Sequence, residues 1–435
     1  MNKKRRFNFQ KTFSFISFIF LLTCVCWYGG RTVYFYLQSK QEAKSDTVTL
    51  IKRIKIKELK EVKKDYYFYG QANNNYVTYS NLTWRILKIT NNNEIVLILD
   101  KPIITLAYGE DVDYKDSYIT NWLNKTEDEN TGILESKLNN INLINTITCL
   151  DKIDNIEKTS CNEKNEDNKL GLPSLTDYIN SGATKSFINN GYYTYLSNKN
   201  SNNEIWYITE NGKLNTSDGT EILGVKPVIT LPSNTPLIKG KGTNKEPYII
   251  EEKSSYFASY VKLDKDIWRV YDEDDNNIKL VLNDYLKENS NEFTHNYSQN
   301  NYYHNDTQPN TLANYLNQTY LNNLSYKNII NTDYYTNYFY SYNNNYDYKD
   351  ILTNKVDTKV SIPSITDPIL NNELDQYLTN TGTGKNDKYI YIINKNGSTE
   401  TVSTTKESKI VPCISIKKNL ITKGTGNINE PYETE

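Results

Sequence analysis

Histidine, methionine and cysteine are scarce in this sequence. Two histidines, one methionine and five cysteines occur among 435 residues, and both histidines, His295 and His304, lie in one Asn- and Tyr-rich stretch. With only two histidines, a Ser-His-Asp catalytic triad is nearly excluded. The H-E-x-x-H zinc motif is absent. No phosphate-binding glycine loop of a known type follows a predicted strand. The sequence therefore predicts no catalytic residue, no cofactor site and no metal site.

An excess of charge of either sign is also missing. The chain has 50 basic and 52 acidic residues, a net charge of −2, so there is no broad electrostatic attraction for nucleic acid. The densest acidic runs, Asp111–Asp113 and Asp272–Asp275, lack the spacing of a calcium loop and are interpreted as solvated turns. The many asparagines and 38 tyrosines are interpreted as loop residues between apolar segments. The alternative is that they form a sugar-binding rim.

Only one apolar run is long enough to cross a bilayer. It is TFSFISFIFLLTCVCWYGG, between Lys11 and Arg31, and apolar character resumes beyond Arg31. Basic residues precede it, which predicts a cytoplasmic tail over 1–11, a transmembrane signal anchor over 12–37 and an extracytoplasmic body. Residues that favour signal cleavage are absent after the apolar run. Lipidation at Cys24 is the alternative.

The charged segment that follows the anchor, residues 38–65, has no Pro or Gly between Ile51 and Lys64. This pattern predicts a helical or extended stalk that holds the body off the membrane. A basic amphipathic face lying on anionic lipid is the competing interpretation.

The second half of the chain repeats the first. Matched landmarks recur in the same order, which is the signature of duplication. The pairs are Asn81–Ile86 with Lys265–Val270, Asn121–Asn124 with Asn314–Asn317, Leu172–Asp177 with Ile362–Asp367, Glu204–Leu214 with Lys388–Ser398, Lys226–Leu231 with Val411–Ile416, and Lys239–Tyr248 with Lys423–Tyr432. Two modules are predicted, over 66–252 and 253–435.

Each module is predicted to combine short antiparallel hairpins with one or two helices, an α+β class. The Asn-Gly pairs at Asn211 and Asn396 indicate hairpin turns, and Leu and Ile at helical spacing after Asn121 indicate a helix. The aromatic residues of the landmarks are candidate core residues; stacking on a ligand is the alternative for Trp84 and Trp268. These candidates are Trp84, Trp122, Trp206, Trp268 and Tyr315. The arginine after each strand tryptophan is expected to be exposed.

The motifs W-R-[IV], N-[WY]-L-N, [LI]-P-S-[LI]-T-D and V-K-P-V-I-T-L followed by K-G-x-G-T resemble an uncharacterised family of extracytoplasmic repeat domains of low-GC Gram-positive bacteria. The resemblance covers about residues 66–435 and is weaker in the second copy, where Val411 replaces Lys226. More distantly, the chain is similar to the C-type-lectin-like fold of formylglycine-generating enzymes. The catalytic cysteine pair of those enzymes has no counterpart, since Cys413 stands alone in its module.

Cys149 and Cys161 flank a charged loop of the first module. In the extracytoplasmic location predicted above they are a candidate disulfide, with free thiols or metal ligands as alternatives. Cys413 lies in an apolar strand and is interpreted as a buried small residue.

Taken together, these patterns predict a membrane-anchored extracytoplasmic binding or scaffold protein whose partner is a cell-wall polymer, a glycan or a surface protein. The alternative from another class is an extracytoplasmic carbohydrate hydrolase with two carboxyl groups brought together from separate loops. A third interpretation is a structural component of an envelope assembly.

Overall fold

The computed structural model describes residues 48–109, 112–124, 133–138, 143–252, 255–288, 291–292, 294–298, 309–336, 338–339, 355–367, 374–383 and 388–434. The chain divides into two compact units, Met1–Thr49 and Leu50–Glu435, and both modules belong to the second unit. The predicted anchor over 12–37 lies outside the described residues. Within the described ranges, no helix has the length and apolarity needed to span a membrane.

The first module is built almost entirely from short strands. They are Lys60–Val62 (β1), Asp65–Tyr67 (β2), Tyr76–Tyr79 (β3), Leu82–Ile89 (β4), Ile95–Leu99 (β5), Ile104–Ala107 (β6), Thr148–Cys149 (β7), Lys164–Asn165 (β8), Leu170–Gly171 (β9), Thr194–Lys199 (β10), Ile205–Ile208 (β11), Leu214–Ser217 (β12), Ile222–Val225 (β13), Val228–Leu231 (β14) and Tyr248–Ile249 (β15). Its helices are Tyr118–Leu123 (α1), Ile133–Lys137 (α2) and Leu175–Asn180 (α3).

The second module follows the same pattern. Its strands are Tyr260–Leu263 (β16), Asp266–Glu273 (β17), Asn277–Leu282 (β18), Lys287–Glu288 (β19), Asn291–Glu292 (β20), Thr294–His295 (β21), Asp333–Thr336 (β22), Tyr338–Phe339 (β23), Lys355–Thr358 (β24), Val360–Ser361 (β25), Gln376–Gly382 (β26), Tyr389–Asn394 (β27), Thr399–Ser403 (β28), Ser408–Lys409 (β29), Cys413–Lys417 (β30), Ile421–Lys423 (β31) and Tyr432–Thr434 (β32). Its helical residues are Leu312–Asn314 (α4), a π-helical run Tyr315–Tyr320, and Leu321–Asn323 (α5).

The α+β prediction is wrong, because strands account for 39% of the described residues and helices for only 14%. The apolar residues around Ile133 have helical spacing, yet the helix there ends at Lys137. Short helices gain little stability by themselves. The β-branched and aromatic residues that dominate the apolar segments favour strands instead.

The main sheets of the two modules have the same strand order. In the first, β9, β14, β5, β4, β3 and β15 lie side by side, and in the second, β25, β30, β18, β17, β16 and β32 occupy the same positions. In both sheets the pairing with the last strand, β3 with β15 and β16 with β32, is parallel. The smaller sheets β10-β11-β12 and β26-β27-β28 also correspond, and each contains a predicted Asn-Gly hairpin. In the described residues, no strand of one module pairs with a strand of the other.

The Lys-Gly-x-Gly motif closes the parallel edge of each main sheet. The Gly242 carbonyl accepts a hydrogen bond from the Tyr76 N–H at 2.8 Å, and the Gly426 carbonyl accepts one from the Tyr260 N–H at 2.8 Å. The first glycine of the motif has a left-handed backbone in both copies, with φ of 109° at Gly240 and 92° at Gly424. The repeated motif therefore has a structural role in both modules.

The segment predicted as a stalk packs on the first module from Leu50 onward. Leu50 is fully buried and Ile54 is 8% exposed. Strand β2 pairs with β4, and β1 pairs with β2. This differs from a free stalk over 38–65, because two apolar side chains of the segment join the core.

The two modules are joined by polar contacts. The hairpin turn after β27 brings the Asn396 carbonyl to the Tyr193 N–H at 2.9 Å, and the Asn396 amide donates to Glu210 Oε2 at 2.6 Å. The Lys137 ammonium of α2 forms an ion pair with Asp272 of β17. These contacts join the two modules.

Candidate functional site

The first module buries an ion pair beneath its Leu-Pro-Ser-Leu-Thr-Asp motif. Ser174 begins helix α3 with a capping box, in which its hydroxyl accepts from the Asp177 N–H while the Asp177 carboxylate accepts from the Ser174 N–H. This arrangement fixes Asp177 beside strand β4. There the Lys88 ammonium donates to Asp177 Oδ1 at 2.8 Å.

The two charges stabilise each other in this ion pair. Burial disfavours both charged forms, but Asp177 raises the pKa of Lys88, and Lys88 together with Ser174 lowers the pKa of Asp177. The side chains are 13% and 8% exposed. An ion pair this closed has a structural role rather than a catalytic one.

The second module places different charges in the same layer. Asp367 of the Ile-Pro-Ser-Ile-Thr-Asp motif corresponds to Asp177, but Asp272 stands where β4 has Lys88. In the second module the basic residue is instead Lys279 on the neighbouring strand, directly opposite Asp272 in the register. Its ammonium lies 3.9 Å from Asp272 and 3.8 Å from Asp333, and Asp272 also pairs with Lys137.

Asp367 is the third carboxyl group of this cluster. It accepts a hydrogen bond from the Ser364 N–H at 2.7 Å. Loss of surrounding water raises its pKa to about 7, although Lys279 and Lys137 oppose that shift. The side chain of Asp272 beside it is 35% exposed. The cluster thus places a carboxyl group whose pKa is raised to about 7 near the partly exposed side chain of Asp272.

Two further basic side chains are buried in the first module, with Arg85 5% and Lys226 1% exposed. Arg85, expected to be exposed, instead donates to Asp100 at 3.1 Å and to Asn75 at 2.7 Å, and its guanidinium lies 3.8 Å from the centre of the Tyr76 ring. Arg85 tolerates burial because Asp100 pairs with its charge and its guanidinium stacks on the Tyr76 ring. Burial of Lys226 could have been predicted from its position, because it is a charged residue directly before an apolar strand.

The predicted core aromatics do not converge on one site. Trp84, Trp122 and Trp268 are fully buried. Trp206 is partly buried and donates to the Ile153 carbonyl at 2.9 Å, and the hydroxyl of the partly buried Tyr315 donates to Glu288. Ligand stacking on Trp84 or Trp268 is therefore not available in this structure.

Cys149 and Cys161 are joined in a disulfide, with 5.0 Å between their Cα atoms. The enclosed loop also binds the body of the module, because the Asp151 carbonyl accepts from the Asn198 amide at 2.9 Å. Cys413 is buried. Among the described residues, no group of His, Cys, Asp and Glu side chains is arranged to hold a metal ion.

An accessible concave surface lies at the end of the second sheet. It is a shallow depression of about 480 Å³, formed by the turn between β17 and β18 and by the residues where β30 ends. It is lined by Asp275, Asn276, Asn277, Lys417, Lys418 and Asn419. From the sequence alone, the acidic part of this turn is interpreted only as a solvated turn. The sequence feature that could have pointed to this surface is the doublet Lys417-Lys418, because the first module has Pro232-Ser233 at the matching positions.

In comparisons with known proteins, no protein-family model, no curated protein and no solved structure matches this chain. The resemblance to extracytoplasmic repeat domains therefore stays a prediction.

Proposed function

We propose that this protein is a membrane-anchored extracytoplasmic binding or scaffold protein. One observation carries the proposal: both modules keep the same strand order, while their loops differ in chemistry at matching positions. Loops held by a rigid scaffold carry a disproportionate share of the residues that bind partners. The partner is a cell-wall polymer, a glycan or another surface protein.

Two further features agree with this function. The Cys149–Cys161 disulfide suits an oxidising compartment outside the cytosol. In the first module the buried charges are engaged by neighbouring groups, as in the Lys88–Asp177 pair, and so are not poised to react. The anchor is proposed over 12–37, with the N-terminus in the cytoplasm.

A second candidate function, hydrolysis of a carbohydrate, is favoured by the carboxyl cluster of the second module. Such hydrolysis needs one protonated and one ionised carboxyl group. Asp367, with its pKa raised to about 7, would be the acid, and Asp272 would be the second carboxyl group. Asp367 would protonate the leaving oxygen while the carboxylate of Asp272 activates water.

One experiment addresses both functions. The full-length chain, in a detergent without a sugar head group, is sedimented with purified cell walls of a low-GC Gram-positive bacterium, and the supernatant is assayed for released reducing sugar. Binding predicts retention in the pellet with no sugar release. Sugar release that Asp367→Asn abolishes would identify a hydrolase instead. Loss of retention on intact walls and on protein-stripped glycan alike would refute wall and glycan binding.

A further inference from the structure

The segment that leads into the first module carries an excess of positive charge. Between Ile51 and Lys64 the chain has seven basic and two acidic residues, which gives a net charge of +5, whereas the whole chain has a net charge of −2. All seven basic side chains are exposed, and we call them the basic surface. They are Lys52, Arg53, Lys55, Lys57, Lys60, Lys63 and Lys64.

Apolar side chains of the same segment hold the basic surface in place. The Leu50 N–H donates to the Thr235 carbonyl at 2.9 Å, and the side chains of Leu50 and Ile54 are buried. Further side chains of the segment are partly buried and pack against the same core, namely Ile51, Ile56, Leu59 and Val62. The basic side chains between them therefore face solvent on a segment that is fixed to the module.

The hairpin β1-β2 has two lysines at its tip, where the backbone favours other residues. Val62 pairs with Asp65, so Lys63 and Lys64 form a two-residue turn. Both have a left-handed backbone, with φ of 50° and 74°. A turn with positive φ at both positions favours Asn-Gly, because most side chains are strained there. Strain of this kind points to a function of the side chains that cause it.

This hairpin belongs only to the module that follows the proposed anchor. Strand β4 pairs with β2 as well as with β3 and β5, whereas in the described part of the second module β17 pairs only with β16 and β18. Twelve residues, 38–49, lie between the proposed anchor and Leu50. A chain of this length spans at most about 40 Å, so the tether itself keeps this end of the module near the bilayer.

An aromatic ring lies beside the lysines. Tyr69 is 53% exposed, and the Lys60 ammonium lies 4.7 Å from the centre of its ring. Tyrosine is enriched where proteins meet lipid head groups, because its ring is apolar and its hydroxyl is polar. Basic side chains close to a membrane surface are attracted to anionic head groups. The surface thus combines the two residue types that favour a lipid interface.

We propose that the basic surface, together with Tyr69, binds the anionic phospholipid head groups of the membrane that holds the anchor. The proposal rests on the anchor proposed over 12–37 and adds a second contact with the same bilayer. This contact holds the first module against the membrane. The second module, which lacks the hairpin, has no equivalent contact among its described residues.

The test compares the full-length chain in two kinds of lipid nanodisc, one of phosphatidylcholine alone and one that also contains phosphatidylglycerol. Lysines are acetylated briefly, and the extent at each lysine is measured by mass spectrometry. A lysine beside anionic head groups is acetylated more slowly, because the negative charge raises its pKa and the lipid limits access. The reference lysines are Lys262 and Lys265, which are exposed at the β16-β17 turn of the second module.

The variant Lys63→Asn/Lys64→Gly removes two charges from the basic surface and introduces the residues that the turn favours. Its unfolding temperature should be no lower than that of the wild type, which separates loss of charge from loss of fold. The matched control, Lys262→Gln/Lys265→Gln, removes two exposed lysines from a hairpin of the second module.

We expect acetylation of Lys55, Lys57 and Lys60 in the wild type to be about fivefold slower in the anionic nanodiscs than in the zwitterionic ones. High salt should abolish this protection, because it screens exposed charges. The Asn-Gly variant should lose most of the protection, and the control variant should keep all of it. In the wild type, Lys262 and Lys265 should react equally in both nanodiscs.

Equal acetylation of the basic surface in the two nanodiscs would overturn the lipid contact, while entry of the chain into both would leave the anchor standing. Equal protection by soluble poly(glycerol phosphate) in zwitterionic nanodiscs would assign the surface to a free polyanion and contradict the proposal. Association with anionic nanodiscs alone, reversed by salt, would support the lipid contact and contradict the anchor. Failure to associate with either nanodisc would remove both.

Discussion

Buried charge is the most costly feature of this protein at the scale of single residues. The Lys226 ammonium, 1% exposed, donates to the Ile188 carbonyl at 3.0 Å and contacts the Asn190 side chain. Burial lowers its pKa to about 7, with nearby Asp100 opposing and Arg85 adding to that shift. The second module has Val411 at the matching position. The sheet itself therefore does not require a lysine there.

Replacing Lys226 with methionine tests this charge. The folded pKa of about 7 lies below the ordinary 10.5, so between these values the unfolded chain binds more protons. The free energy of unfolding of the wild type must then rise with pH across this window, by about 1.4 kcal/mol per pH unit from this group. Lys226→Met should lack that rise in urea unfolding between pH 7 and 9. Parallel pH profiles for the two proteins would contradict the lowered pKa.

At the scale of the element, the closing Lys-Gly-x-Gly turn is the part of each module least tolerant of a side chain. A Cβ on Gly240 would lie 1.9 Å from the Pro247 carbonyl oxygen, and one on Gly424 would lie 2.1 Å from that of Pro431. Neither backbone carbonyl can move without disturbing the adjoining parallel strand. The glycine is required for close approach as well as for its left-handed φ.

Gly240→Ala should therefore destabilise the first module by more than the cost of a positive φ alone. The matched control is Gly191→Ala, because Gly191 has φ of 91° and a Cβ there would have no neighbouring atom within 4 Å. We expect about 1 kcal/mol for the control and at least about 2 kcal/mol more for Gly240→Ala, measured by urea unfolding. Equal losses would mean that the turn relaxes and that the contact with Pro247 is unimportant.

At the scale of the whole molecule, the two modules differ in covalent cross-linking. The first has a disulfide between Cys149 and Cys161, which are 12 residues apart, and the second has only the buried thiol of Cys413. A covalent link of this length restricts the unfolded chain by about 3 kcal/mol in the chain-entropy model. The first module should therefore depend on the redox state of its surroundings.

Reduction with a thiol reagent is expected to lower the stability of the wild type by about 2–4 kcal/mol, seen as an earlier denaturant midpoint for the first module. The double variant Cys149→Ser/Cys161→Ser should show the same midpoint as the reduced wild type. It should also be insensitive to the reagent. A reagent effect that persists in the double variant would have to come from another group and would contradict this assignment.

Local features of the fold could be predicted from the sequence. The hairpins at β4-β5 and β17-β18, the Asn-Gly turns at Asn211 and Asn396, and the helix start at Ser174 depend on residues close together in the chain. The repeated landmarks also indicated that one strand order would occur twice. The share of helix was overestimated, because apolar spacing does not reveal that neighbouring strands supply most of the core.

The charged sites depended on tertiary structure. Lys88 and Asp177 are 89 positions apart, and only packing of α3 against β4 brings them to 2.8 Å. Burial of Leu50 likewise required the distant Thr235, whose carbonyl accepts a hydrogen bond from the Leu50 N–H. The sequence by itself determined duplication, hairpins and turns, because these follow from local periodicity. Only the tertiary structure decided which charges are buried and which surface stays open, because desolvation is set by neighbours remote in sequence.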